Sequence, residues 1–152
     1  MPSAQYAALM LNTLLNSSEG TAPPLLIIHG LFGSGRNWGV IAKRLSDRGP
    51  VMAVDLRNHG DSFWADSHSY HDMAADLAEV IEAQDTPMDV VGHSMGGKAA
   101  MVLALARPEL VSRLLVADIA PVTYTHSQMQ FIDAMKSVDL ATVEKRSDAS
   151  VQ

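Results

Sequence analysis

The sequence has no cysteine. Disulfides and cysteine-ligated zinc are thereby excluded, and a reducing compartment is permitted. Positive charge is also scarce: 11 Lys and Arg stand against 17 Asp and Glu, a formal net charge of −6. That balance argues against a nucleic-acid partner and against an anionic membrane surface. No apolar run approaches the roughly 18 residues of a spanning helix. The opening residues, MPSAQYAALMLNTLLNSSEG, carry no Lys or Arg ahead of their apolar positions, so they do not read as a signal peptide. Asn16-Ser17-Ser18 matches a glycosylation sequon, read as chance without a secretion signal. The expectation is a cytoplasmic protein that binds neither membrane nor nucleic acid.

What the chain does have is a core. Of its 152 residues, 47% are hydrophobic, enough for one folded domain. Tyr6 to Leu15 reads as an early edge strand, and Ser17 to Thr21 as a polar turn. Short apolar runs at Leu25–Ile28, Val51–Val54, Asp89–Val91 and Leu114–Ala117 read as buried strands. Between them lie helical patterns. Trp38, Ile41 and Leu45 mark one, stopped by Gly49-Pro50. Met73, Leu77, Val80, Ile81 and Gln84 mark a second, behind a capping-box pattern at Ser69 to Asp72. Met95 to Ala106 is a third, ended by Arg107-Pro108. Strands alternating with helices mean βαβ units, so the fold class is α/β with a mostly parallel sheet and flanking helices. Such sheets place ligands at the carboxyl ends of their strands. Residues just after each strand are therefore the informative ones: His29-Gly30, Asp55, Gly92-His93-Ser94 and Asp118. Beyond Pro121, Met129, Ile132, Met135 and Val143 could line helical faces, and no further strand is evident.

Gly92-His93-Ser94-Met95-Gly96 is a G-x-S-x-G motif placed between a strand and a helix. In that setting the turn is so tight that residues two before and two after the serine crowd its backbone. The turn lifts the hydroxyl above the sheet and aims the Met95 N–H at negative charge nearby. Ser94 is the candidate nucleophile; the alternative is a glycine-rich helix start with an ordinary N-cap serine. Past the earlier strand, the Leu31 N–H is the candidate second oxyanion donor beside Met95. His29, Gly30, Phe32 and His93 flank these positions and are the candidate substrate-binding residues.

Asp118 ends the strand expected beside that of Ser94, and is the candidate acid of a catalytic triad. It also reads as a loop aspartate capping Ile119-Ala120-Pro121. No histidine is a persuasive base. His93 adjoins the serine and alternation turns it away. His29 and His59 read as loop braces, and His68, His71 and His126 sit in polar segments. Two stretches, from Gly30 and from Gly92, approach the phosphate-binding G-x-x-x-x-G-K-[ST] pattern. The first has Arg36-Asn37 and the second ends in Ala99, so neither supplies the Mg²⁺-binding hydroxyl. No metal and no cofactor is expected.

The stretches HGLFGSGRNWGVIAKRL (29–45), VDLRNHGDS (54–62), VGHSMGGKAAM (91–101) and VADIAPVTY (116–124) resemble the α/β-hydrolase superfamily, and within it the small bacterial esterases and their mitochondrial relatives. The resemblance implies a serine esterase acting on small acyl esters or thioesters. By position it assigns Ser94 as nucleophile, Leu31 and Met95 as oxyanion donors, and Asp118 as an acid that some members use. It also divides the chain into core residues 1–118 and the start of a helical cap, 119–152. Members of the superfamily run well past 200 residues and carry the catalytic histidine after the last strand. The expectation is thus a truncated fold lacking its C-terminal strands and that histidine, with impaired turnover. The competing expectation is a non-catalytic module that forms a homo-oligomer, or binds a partner, through an exposed sheet edge.

Overall fold

The structure, a computed structural model, describes residues 10–125 and 127–150. His126 and the first part of the stretch from Tyr6 lie outside the described residues. The elements are β1 (Thr13–Asn16), β2 (Leu25–Ile28), α1 (Gly39–Leu45), β3 (Val51–Val54), α2 (Tyr70–Glu82), β4 (Met88–His93), α3 (Met95–Ala106), β5 (Val111–Ala117) and α4 (Met129–Ser137). The strands form one sheet in the order β1-β3-β2-β4-β5. β1 runs antiparallel to β3, and the other pairs are parallel. The α/β reading therefore holds, and two of the three inner strands, β2 and β3, are buried along their whole length, as their unbroken apolar runs require.

Two clusters fill the two faces. On one, Leu26, Ile28, Val54 and Val90 pack with Met73, Leu77 and Ile81 of α2 and with Ala99, Ala100 and Leu103 of α3. On the other, Leu25, Ile27, Val51 and Ala53 pack with Ala42 of α1. α2 starts where the capping box predicts: the Ser69 hydroxyl accepts the Asp72 N–H at 3.1 Å, and the Asp72 carboxylate accepts the Ser69 N–H at 3.3 Å. α1 differs from its sequence pattern. A 3-10 turn, Gly35–Trp38, precedes it and shifts its phase, so Ala42 is the buried residue while Ile41 and Leu45 are 45% and 37% exposed.

The irregular segment after β3 is held by charge. The Arg57 guanidinium grips the Asp76 carboxylate of α2 through two bonds, 2.6 and 2.8 Å, with both residues buried. Asp55, 1% exposed, accepts the Gly35 N–H at 2.7 Å, the Asp61 N–H at 2.9 Å and the Asn12 amide at 2.9 Å. The glycine-rich loop from Gly30 thus turns an amide to an internal carboxylate. At the amino ends of the strands, Asp89 takes Arg113 at 2.5 Å and Arg48 at 2.5 Å.

The chain divides into two compact units, one reaching Pro121 and the other starting at Val122. Within the second, α4 has no buried residue, and Met129, Phe131 and Met135 are each more than half exposed.

Burial raises the pKa of Asp55, but the Asp61 and Gly35 amides and Asn12 together outweigh it and hold the carboxyl below its ordinary range. Arg113 does the same for Asp89 against the opposing effect of burial, with help from Arg48. Both groups bind protons less readily folded than unfolded. Their contribution to stability is complete above about pH 5 and falls as acid protonates them. Urea midpoints measured downward from pH 6 should decline across the carboxylate range, and Asp55→Asn should flatten that decline while lowering the midpoint at neutral pH. A midpoint independent of pH from 6 to 3 would contradict this.

Candidate active site

The chain leaves β4 and enters α3 at Ser94, whose φ of 51° and ψ of −117° lie outside the regions most residues adopt. An N-cap serine has extended backbone and a side chain that accepts a helix N–H. Ser94 has neither, so the alternative of an ordinary cap does not fit. Its N–H instead donates to the Ala117 carbonyl at 2.9 Å, which carries the β4–β5 pairing into the turn. The residue is half-buried.

The two flanking glycines are required by contact. A side chain at Gly92 would meet the Gly96 carbonyl oxygen at 2.6 Å and Gly97 Cα at 2.7 Å. One at Gly96 would collide with the His29 carbonyl oxygen and approach the Ile28 side chain to 2.7 Å. The start of α3 therefore rests directly on the end of β2.

That contact brings in the turn after β2. A Cβ at Gly30 would lie 3.2 Å from Ser94 Cβ, so the loop borders the serine. The turn closes with Gly33 N–H on the Gly30 carbonyl at 3.0 Å. Leu31 and Phe32 form its outer corner, 38% and 54% exposed, and Phe32 sits at φ 61°. Met95 begins α3 and is buried.

His29 is buried, and both of its ring nitrogens are committed. Nδ1–H donates to the Gly30 carbonyl at 2.7 Å, and Nε2 accepts the Leu56 N–H at 3.0 Å. Burial lowers its pKa, and nearby His59 adds to the lowering against the Gly30 carbonyl. A neutral ring so bound braces the loop and leaves no free donor or acceptor for a substrate. The His93 ring lies 5.9 Å from that of Trp38, at the end of the 3-10 turn before α1. Its Nε2 stands 3.6 Å from the Asp118 carboxylate, whose side chain is 82% exposed. Asp118 itself adopts φ 59°. No described histidine hydrogen-bonds the Ser94 hydroxyl. A cavity of about 300 Å³ opens beside the turn, lined by Leu31, Trp38, Ile41 and His93 among others. The exposed Ile41 lies in this wall, which accounts for its departure from the core.

Of the residues singled out in the sequence, Gly30 lies beside Ser94 and His93, Leu31 and Phe32 share its turn, Met95 follows the serine, and Asp118 stands beside His93. Sequence reasoning did not foresee the framework of Asp55, Arg57 and Asp76, because those bonds join positions far apart in the chain. The only available signal was that charged residues follow an apolar strand.

Residues 23–144 match the family described as alpha/beta hydrolase fold. The sn-1-specific diacylglycerol lipase ABHD11 of Mus musculus is 42% identical over 151 residues, covering 96% of this chain and 49% of that protein. Esterase YbfF of Escherichia coli (strain K12) is 36% identical over 129 residues, covering 84% of this chain and 51% of that protein. Among solved structures, a marine microorganism esterase superposes with a TM-score of 0.83 at 42% identity, covering 93% of this chain and 56% of the other. The chain spans about half the length of the curated relatives it matches. With that match, and with the sheet order described above, the chain belongs to the alpha/beta hydrolase fold family.

Proposed function

We propose that this chain supplies the nucleophile and the oxyanion hole of a serine esterase acting on small acyl esters or thioesters. The observation that carries the reading is the Ser94 backbone, held at positive φ on a strand–helix junction with its side chain not used as a cap. The names of the relatives, esterases and a diacylglycerol lipase, support ester chemistry. The absence of cysteine is in keeping with a cytoplasmic enzyme.

In this reading the Ser94 Oγ attacks the ester carbonyl carbon and gives its proton to a general base. The carbonyl oxygen takes the displaced electron pair and accepts hydrogen bonds from the Leu31 and Met95 N–H groups. Collapse of the tetrahedral species expels the alcohol with a proton from the base, and water then releases the acid from Ser94. Asp118, exposed beside His93, is the carboxylate that orients the base. Gly30, Phe32 and His93 border the bound ester, and His29 acts through the loop it braces. The base itself has no counterpart among the described residues. Turnover by the described residues without such a base is therefore expected to be slow, near the 10³- to 10⁴-fold over water that an oxyanion hole and binding sustain without a full triad. Residues 119–152 are read as the start of a cap; the second compact unit begins at Val122.

A fluorophosphonate probe in excess should label Ser94 slowly, as expected of a serine without its base, up to one label per chain, with the label lost in Ser94→Ala at unchanged thermal stability. A folded protein that takes no label would refute the assignment.

One observation favours a second reading, association without catalysis. β5 ends the sheet order, and Leu115 and Leu114 on it are 55% and 38% exposed. Light scattering separates the two: edge pairing predicts a dimer or larger species that takes no label, whereas a labelled monomer removes this reading.

A further inference from the structure

Phe32 occupies a backbone conformation that suits it poorly. The third position of the Gly30–Gly33 turn has φ 61°, where Gly or Asn is the usual occupant and a bulky aromatic is an outlier. Such a residue persists only where its surroundings hold it. Its side chain is more than half exposed, so packing does not hold it. Besides the Gly33–Gly30 bond that closes the turn, the contact that holds it is a hydrogen bond from the Phe32 N–H to His59 Nε2, 3.3 Å away and 27 residues later in the chain.

His59 is built for that acceptor role. Its Nδ1 lies 3.0 Å from the Arg57 carbonyl, which can only accept, so Nδ1 carries the proton and Nε2 offers a lone pair. The residue is buried. Its ring contacts two others, 5.0 Å from His29 and stacked 5.6 Å from His68. His68 is fixed in turn by Asn58, whose amide donates to its Nδ1 while the Asn58 oxygen accepts the Ala65 N–H. Arg57, which supplies the carbonyl, is anchored to Asp76. A chain of fixed groups therefore runs from α2 to the corner of the turn that presents the Leu31 amide.

We propose that His59 is a positioning residue, whose unprotonated Nε2 holds the Leu31–Phe32 corner so that the Leu31 N–H faces the oxygen bound at Ser94. This rests on the esterase reading for what the Leu31 amide does, but the hydrogen bond itself can be tested without it.

Two substitutions separate the nitrogens. His59→Gln keeps an acceptor that reaches Phe32; His59→Asn keeps a donor that reaches Arg57 but no acceptor for Phe32. Phosphonylation of Ser94 should be close to wild type in the Gln variant. In the Asn variant it should fall on the order of 10- to 100-fold, the scale of a misplaced catalytic group. The nitrogen resonances of His59 in the unsubstituted protein, read by long-range proton–nitrogen correlation at neutral pH, should show a protonated Nδ1 and a bare Nε2. Equal labelling rates for the Gln and Asn variants, at equal melting temperatures, overturn the proposal. If the unsubstituted protein takes no label, the esterase reading fails, and the tautomer alone decides: a protonated Nε2 rules the brace out.

Discussion

The contact on which the site depends is the seating of α3 on the end of β2 with no side chain between them. Gly96 lies against the His29 carbonyl and the Ile28 side chain, and Gly92 lies against Gly96 and Gly97. At that spacing the chain can pass from strand to helix only through a strained residue, and Ser94 takes up the strain at φ 51°. The same approach sets the Gly30 turn beside the serine. A larger residue at either glycine would push helix from sheet and move Ser94 away from the Gly30 turn.

Around this contact the fold relies on buried charge to order loops that have no regular structure. Asp55 draws Asn12, Gly35 and Asp61 onto one carboxylate, so a strand end, the glycine-rich loop and the following loop share a single anchor. Arg57 ties the next stretch to α2 through Asp76. Breaking such a buried pair by removing one partner typically costs about 3–5 kcal/mol, because the other charge is left unmatched. These loops are thereby fixed to the layer of sheet and helices.

Much of this was legible in the sequence, and for identifiable reasons. The runs at Leu25–Ile28 and Val51–Val54 are unbroken because both faces are covered, and that is a local signal. Ser69 and Asp72 mark the start of α2 because both caps lie within one turn. Past the glycines at its start, Lys98 to Ala106 carries no breaker until Arg107-Pro108. Other features were hidden. The early strand is confined to Thr13–Asn16 among the described residues, since its limits are set by pairing with β3 and not by its own apolarity. β5 starts at Val111, earlier than its apolar run, because Arg113 pairs across to Asp89 and not into the core. The phase of α1 depends on the 3-10 turn before it. His59 read as a loop brace, but what it braces is visible only once Phe32 is placed beside it.

The central claim, that the Ser94 hydroxyl faces two backbone amides across this strained turn, is tested most directly by a crystal structure of the phosphonylated protein. The account predicts phosphorus bonded to Ser94 Oγ, with the phosphoryl oxygen about 2.7–3.1 Å from both the Leu31 and Met95 nitrogens. A phosphoryl oxygen pointing into solvent, or phosphorus attached to another residue, would contradict it.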